Sequence, residues 1–123
     1  MVFFNTKILD KFYNFYAIDM TSSLRYFKKP LLEKILKNIK TKSNTIILGD
    51  FNTPYESIHF QEYKNRFLHT YYEKGNGFKE TWLWNLPILS LDHIWVSHDI
   101  NLEQIEKQKT FKSDHVMLRL KIE

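Results

Sequence analysis

The chain has 123 residues, enough for one modest domain with a real hydrophobic core. Its aromatic content (Phe 10, Tyr 7, Trp 3) beside only three Gly and three Pro excludes disordered and fibrous classes. Cysteine is absent, which excludes disulfides and thiolate metal sites, and the formal net charge of +4 admits anionic partners, although a solvated lysine surface gives the same balance.

No run of 18 apolar residues exists, so no membrane span is expected. The apolar start Met-Val-Phe-Phe is interrupted by Asn5, Lys7 and Asp10, too early for a signal-peptide core, and the default location is cytoplasmic.

Residues 2–9 and 12–20 are rich in β-formers and flank Asp10-Lys11, which predicts a β-hairpin. In the second run Phe12, Tyr16 and Ile18 share one face and Tyr13, Phe15 and Ala17 the other, so the strand is expected inside a layered fold. Ser22 or Ser23 is the expected cap of the next element. Pro30 fits only the first turn of a helix, which places its start near Lys28. Leu32, Ile35, Leu36 and Ile39 form its apolar stripe, while Lys34, Lys37 and Lys40 face solvent. Thr45 to Leu48 reads as a short buried strand that stops at Gly49. A second helix is predicted from about Ser57 to His69, with Phe60, Tyr63 and Phe67 on one face. Residues 79–84, 91–97 and 116–122 read as further strands; in the last, Val116, Leu118, Leu120 and Ile122 alternate with Met117, Arg119 and Lys121. The order β-β-α-β-α-β-β-β predicts an α+β layer on one mixed sheet with helices on one face, the other face lacking a cover.

Three short segments carry the polar residues of interest. Gly49-Asp50-Phe51-Asn52 follows a buried strand, at the carboxyl end where ligand sites of open sheets collect. There Asp50 can orient or deprotonate a water and Asn52 can bind a phosphoryl oxygen, although Gly-Asp-x-Asn-x-Pro is also ordinary turn chemistry. Asp92 in Leu91-Asp92-His93-Ile94 can fix the tautomer of a nearby imidazole, whereas His93 alternates to the opposite face and reads as structural. Asp114 in Ser113-Asp114-His115 suits a hard cation, and His115 can contact phosphate or pair with Asp92. His59, His69 and His98 read as ordinary surface residues. Phe60, Tyr63, Phe67, Trp82 and Trp84 read as core.

The segments Ile47 to Pro54, Leu91 to Ser97 and Ser113 to His115 appear in the order used by the endonuclease/exonuclease/phosphatase superfamily, the deoxyribonuclease I-like fold, and the chain resembles its C-terminal half from about residue 12 onward. Arg25, Ser57, and Gly75-x-Gly77 leading to Thr81-Trp82 are smaller matches. The resemblance implies half of a four-layer α/β/β/α sandwich, with residues 1–123 forming one partial domain. It implies a phosphoesterase or nuclease-like hydrolase using Mg²⁺ (or Mn²⁺) and in-line attack of water on a phosphodiester or phosphomonoester. In it Asp50 activates water, Asn52 holds phosphate, Asp92 pairs with His115, and Asp114 sits at the metal.

The family's first half supplies an Asn and a metal-binding Glu without counterparts here. A family His before Arg25 is replaced within Ile18-Asp19-Met20. The chain alone is therefore expected to turn over little or not at all. It is also expected to need a missing N-terminal half or a second copy to cover its sheet. The alternative function is an inactive half-domain that binds anionic ligands or nucleic acid. The expected substrate is a phosphate ester, either nucleic acid or a small phosphorylated molecule.

Overall fold

The computed structural model describes residues 1–23, 27–76 and 90–123. Arg25, Gly77, Thr81, Trp82, Trp84 and the strand expected at 79–84 lie outside them. β1 (Val2–Ile8) and β2 (Lys11–Asp19) form the expected hairpin, paired antiparallel from Val2↔Ala17 to Ile8↔Lys11. α1 (Lys28–Asn38) then returns the chain so that β3 (Thr45–Asp50) runs parallel to β2. β5 (Asp92–Val96) lies antiparallel on the other side of β3, and β4 (Leu68–His69) closes that edge, giving the sheet order β1-β2-β3-β5-β4. β6 (Leu102–Gln108) and β7 (Met117–Ile122) form a separate two-stranded sheet.

The alternation of apolar residues decides which layer each strand face meets. Tyr16, Ile47 and Trp95 stand opposite one another across the three central strands and pack with Leu32 and Leu36 of α1, with Ile39 just after it, and with Phe60, Tyr63 and Phe67. Each such fully buried side chain stabilises by roughly 1.5–3 kcal/mol. One residue along, Phe15, Ile46 and Val96 face the other way, toward Tyr71, Ile105, Leu118, Leu120 and Ile122. The β6–β7 hairpin and α3 (Thr70–Lys74) thus cover part of the face that the sequence leaves bare. At the sheet edge, β1 keeps Val2, Phe3, Phe4 and Ile8 exposed.

Two local expectations are corrected. α1 begins after Phe27, in extended conformation and without a side-chain capping bond, so neither Ser22 nor Ser23 caps it. The helix expected over residues 57–69 is broken into a 3-10 turn (Ile58–Phe60), α2 (Gln61–Arg66) and β4, with Phe67 extended at φ −138°, ψ 155°. Pairing of Leu68 and His69 with Val96 and Trp95 satisfies backbone groups along β5, and this tertiary ladder overrides the helical spacing of the apolar residues. Ser57 does cap the 3-10 turn, accepting the amide of His59 at 3.3 Å.

Candidate active site

The sheet register places the carboxylates. Asp19 stands opposite Asp50 in the β2–β3 ladder, and Asp50 stands opposite Asp92 in the β3–β5 ladder. Three aspartates therefore form a row across three adjacent strands at one end of the sheet. Residues directly opposite share a face, and the row lies on the face turned toward β6–β7. His115, just before β7, reaches it from that hairpin.

His115 Nδ1 lies 2.7 Å from Asp92 Oδ2, and its Nε2 lies 4.0 Å from Asp50 Oδ2. A carboxylate only accepts, so the imidazole donates through Nδ1 and turns Nε2 toward Asp50. One ligand atom each from Asp50, Asp92 and His115 falls within 4.8 Å of the others. All three side chains are largely buried yet reachable, at 21–28% exposure. A cavity of about 880 Å³ opens beside them, lined by Asp19, Met20, Thr21, Ser22, Asp50, Asn52, Pro54, Leu91, Asp114 and His115.

Burial alone would lower the His115 pKa, but the hydrogen bond and charge of Asp92, with Asp50 and Asp114 adding, hold it above the usual imidazole value. Burial raises the Asp50 pKa; the Asn52 amide and His115 oppose this, while the charges of Asp92 and Asp19 reinforce it. The cluster thus holds more negative charge than one imidazolium offsets. Its donors toward the cavity are carboxylate oxygens, the chemistry of a hard divalent cation. Asp50, Asp92 and His115 are the group whose ligand atoms lie close enough together to hold such an ion, and Asp19 and Asp114 line the same cavity.

Asn52 sits at φ 44°, a left-handed conformation that Asn tolerates better than most residues. Its backbone N–H donates to Asp50 Oδ1 at 2.7 Å, and its side-chain NH₂ donates to the Met20 carbonyl at 2.5 Å and to Asp50 Oδ2 at 3.1 Å. Both acceptors are oxygens, which fixes the orientation of the amide. Here Asn52 clasps the ends of β2 and β3 together, so the turn chemistry and the site share one residue.

His93 lies on the opposite face and is fully buried. Its Nε2 donates to the Thr53 carbonyl at 2.8 Å, which leaves Nδ1 to accept from His69 Nε2 at 3.0 Å, and His69 Nδ1 accepts the Tyr72 amide at 3.3 Å. This directional chain ties the loop after Asp50 to β4 and β5. His69 is buried, correcting its expected place at the surface; the deciding contact is a tertiary one that no local pattern announces. His98 is exposed, and His59 is half-buried.

Two solved structures share this architecture. One is described as a functionally unknown conserved protein from Enterococcus faecalis V583: TM-score 0.75 at 16% identity, covering 92% of this chain and 50% of that one. The other is an endonuclease/exonuclease/phosphatase family protein from Leptotrichia buccalis C-1013-b: TM-score 0.72 at 19% identity, covering 97% and 52%. The chain therefore spans about half the length of these structures, and at such identities they establish the fold. No curated protein matches the sequence. Among the described residues no helix is long and apolar enough to cross a membrane. The sequence matches the model of the Endonuclease/Exonuclease/phosphatase family over residues 4–115, and the chain belongs to that family.

Proposed function

We propose that this chain carries the reacting end of a metal-dependent phosphoesterase that hydrolyses a phosphodiester or phosphomonoester by in-line attack of water. The observation that carries this reading is the Asp92–His115 bond of 2.7 Å, which aims the second imidazole nitrogen into an acidic cavity beside Asp50. Asp50, whose pKa burial raises above the ordinary carboxylate value, takes the proton of the attacking water. His115, kept protonated by Asp92, donates to a phosphoryl oxygen or the departing group. The longer 3.1 Å bond from Asn52 to Asp50 is the one exchanged for a phosphoryl oxygen, while the 2.5 Å bond to Met20 holds the side chain in place. Mg²⁺ or Mn²⁺, held by Asp114 with the neighbouring carboxylates, offsets charge on the phosphoryl oxygens when bound.

The test is hydrolysis of bis-p-nitrophenyl phosphate with Mg²⁺ or Mn²⁺ by the full-length gene product, comparing wild type with Asp92→Asn and His115→Ala. Positioned acid–base groups contribute about 10²–10⁴-fold, and the variants should lose that much. Metal-dependent release that survives both substitutions defeats the assignment.

A second reading, a half-domain that binds anions without turnover, draws support from the chain's covering half of each matched structure. On either reading, the exposed apolar positions of β1 are covered by a further segment or by a second copy, and the isolated 123-residue chain turns over little. Sedimentation distinguishes the cases: a monodisperse, highly stable monomer contradicts the need for a cover.

A further inference from the structure

The β6–β7 connection holds one segment that the hydrolytic site does not use. β6 ends at Gln108, and the chain then runs Lys109-Thr110-Phe111-Lys112 before reaching Ser113. Two side-chain turns shape it: Thr110 Oγ1 accepts the Lys112 amide at 3.0 Å, and Ser113 Oγ accepts the His115 amide at 3.1 Å. Thr110 and Ser113 line a cavity of about 270 Å³ together with Asp92 and His115. Phe111 does not line that cavity and is 96% exposed. Lys109 and Lys112 flank it, both exposed, and neither makes an ion pair among the described residues.

Leaving a phenyl ring in water forgoes roughly 1.5–3 kcal/mol of burial. Four Cα-to-Cα steps separate Phe111 from His115, so its backbone lies at most about 14 Å from the imidazole-bearing residue. Two ammonium groups without an ion pair among the described residues, beside one exposed aromatic ring at the rim of the proposed phosphate site, match the recognition chemistry of a single-stranded nucleic acid. Lysines meet the backbone phosphates, and the ring stacks on a base. A membrane surface asks for a broader apolar face than one ring among lysines.

We propose that the Lys109–Lys112 loop is a nucleic-acid subsite, with Phe111 stacking on a base that flanks the phosphate held near His115. This deepens the phosphoesterase reading by naming a class of substrate, and its binding test does not depend on turnover. The 123-residue chain is titrated into a fluorescein-labelled single-stranded DNA 12-mer in EDTA, and anisotropy is followed at several salt concentrations. Phe111→Ala should weaken binding about tenfold, within the range for loss of one stacked base, and Phe111→Trp should retain it. On an oligomer of abasic sugar-phosphate, Phe111→Ala should change nothing. Replacing Lys109 and Lys112 by Ala should reduce the salt slope by about 1.4, the value for two single-strand phosphates.

Because Phe111 is in solvent, its substitution leaves the fold intact, which circular dichroism checks. Absence of oligonucleotide binding overturns the inference, as does equal affinity of wild type and Phe111→Ala. Loss of binding to phosphatidylserine vesicles in Phe111→Ala, with oligonucleotide affinity unchanged, overturns it in favour of a membrane contact. A changed sedimentation coefficient with unchanged affinity overturns it in favour of a protein interface. Oligonucleotide binding that shows the Phe111 signature without any hydrolysis keeps this subsite and removes the phosphoesterase reading instead.

Discussion

Gly49 is the residue on which the carboxylate row depends, and Gly49→Ala tests that dependence. Its φ is +138°, a conformation that L side chains rarely adopt. A Cβ built there would lie 1.9 Å from the Ile18 carbonyl oxygen and 2.9 Å from the Ile18 nitrogen. Both are backbone atoms of the neighbouring β2, which cannot turn aside as a side-chain tip can. Backbone strain of about 1–3 kcal/mol combines with a steric cost of about 1–3 kcal/mol, so a loss of about 3–5 kcal/mol is expected. A domain with a total stability of about 5–15 kcal/mol would be severely weakened.

With a urea slope of about 1.5 kcal/mol/M, the midpoint should fall by roughly 2–3 M. Relief of the clash moves β2 from β3 one residue before Asp19 and Asp50, so the site is affected as well. Asp50 contributes to the raised His115 pKa, and that pKa should move back toward 6.5 in an NMR titration. A loss under about 1 kcal/mol, with the His115 titration unchanged, would mean that the carboxylate row does not depend on Gly49.

Stability should decline as pH rises from about 5 to 8. The folded protein binds a proton at His115 more tightly than the unfolded chain does, so this contribution is complete below 6.5 and is lost as pH rises through the raised folded value. The raised Asp50 pKa acts in the same direction from the acid side, and stability that increased across this window in urea melts would contradict both. His93→Ala should cost about 3–5 kcal/mol in chemical denaturation, because the Thr53 carbonyl and the His69 N–H lose their buried partner; a change near zero would contradict the directional chain. A hard divalent cation at about 100 times its Kd should stabilise the chain by about 2.7 kcal/mol. Asp114→Asn should remove most of that gain, and an equal gain in the variant would place the ion elsewhere.

The residues that meet one another through the sheet were the legible ones. Two-residue alternation in 12–20 assigns each side chain to a face, and the same period in 91–97 separates His93 from Asp92 correctly. The 28–39 stripe likewise identifies α1, whose Leu32 and Leu36 are buried, as is Ile39 just after it. β6 was not legible: its apolar residues Leu102 and Ile105 are spaced as in a helix, because a register irregularity between Leu102 and Gln104 shifts the alternation. The break at Phe67 was hidden for a related reason. Phe60, Tyr63 and Phe67 keep helical spacing, but the pairing of β4 with β5 decides the backbone.

In the site, the local segments pointed to Asp50, Asn52, Asp92, Asp114 and His115. Their mutual geometry depends on strand register, which sequence spacing does not encode. The Asn52 clasp on Met20 spans 32 residues, and the His69–His93 contact spans 24.

On the reading proposed above, the aspartate row and His115 form a hydrolytic site for phosphate esters. The most direct measurement is p-nitrophenol release from bis-p-nitrophenyl phosphate by the full-length gene product, in Mg²⁺ or Mn²⁺ and in EDTA, for wild type, Asp50→Ala and His115→Ala. Release should need the metal and fall about 10²–10⁴-fold in each variant. No metal-dependent release, or release that both variants retain, would contradict it.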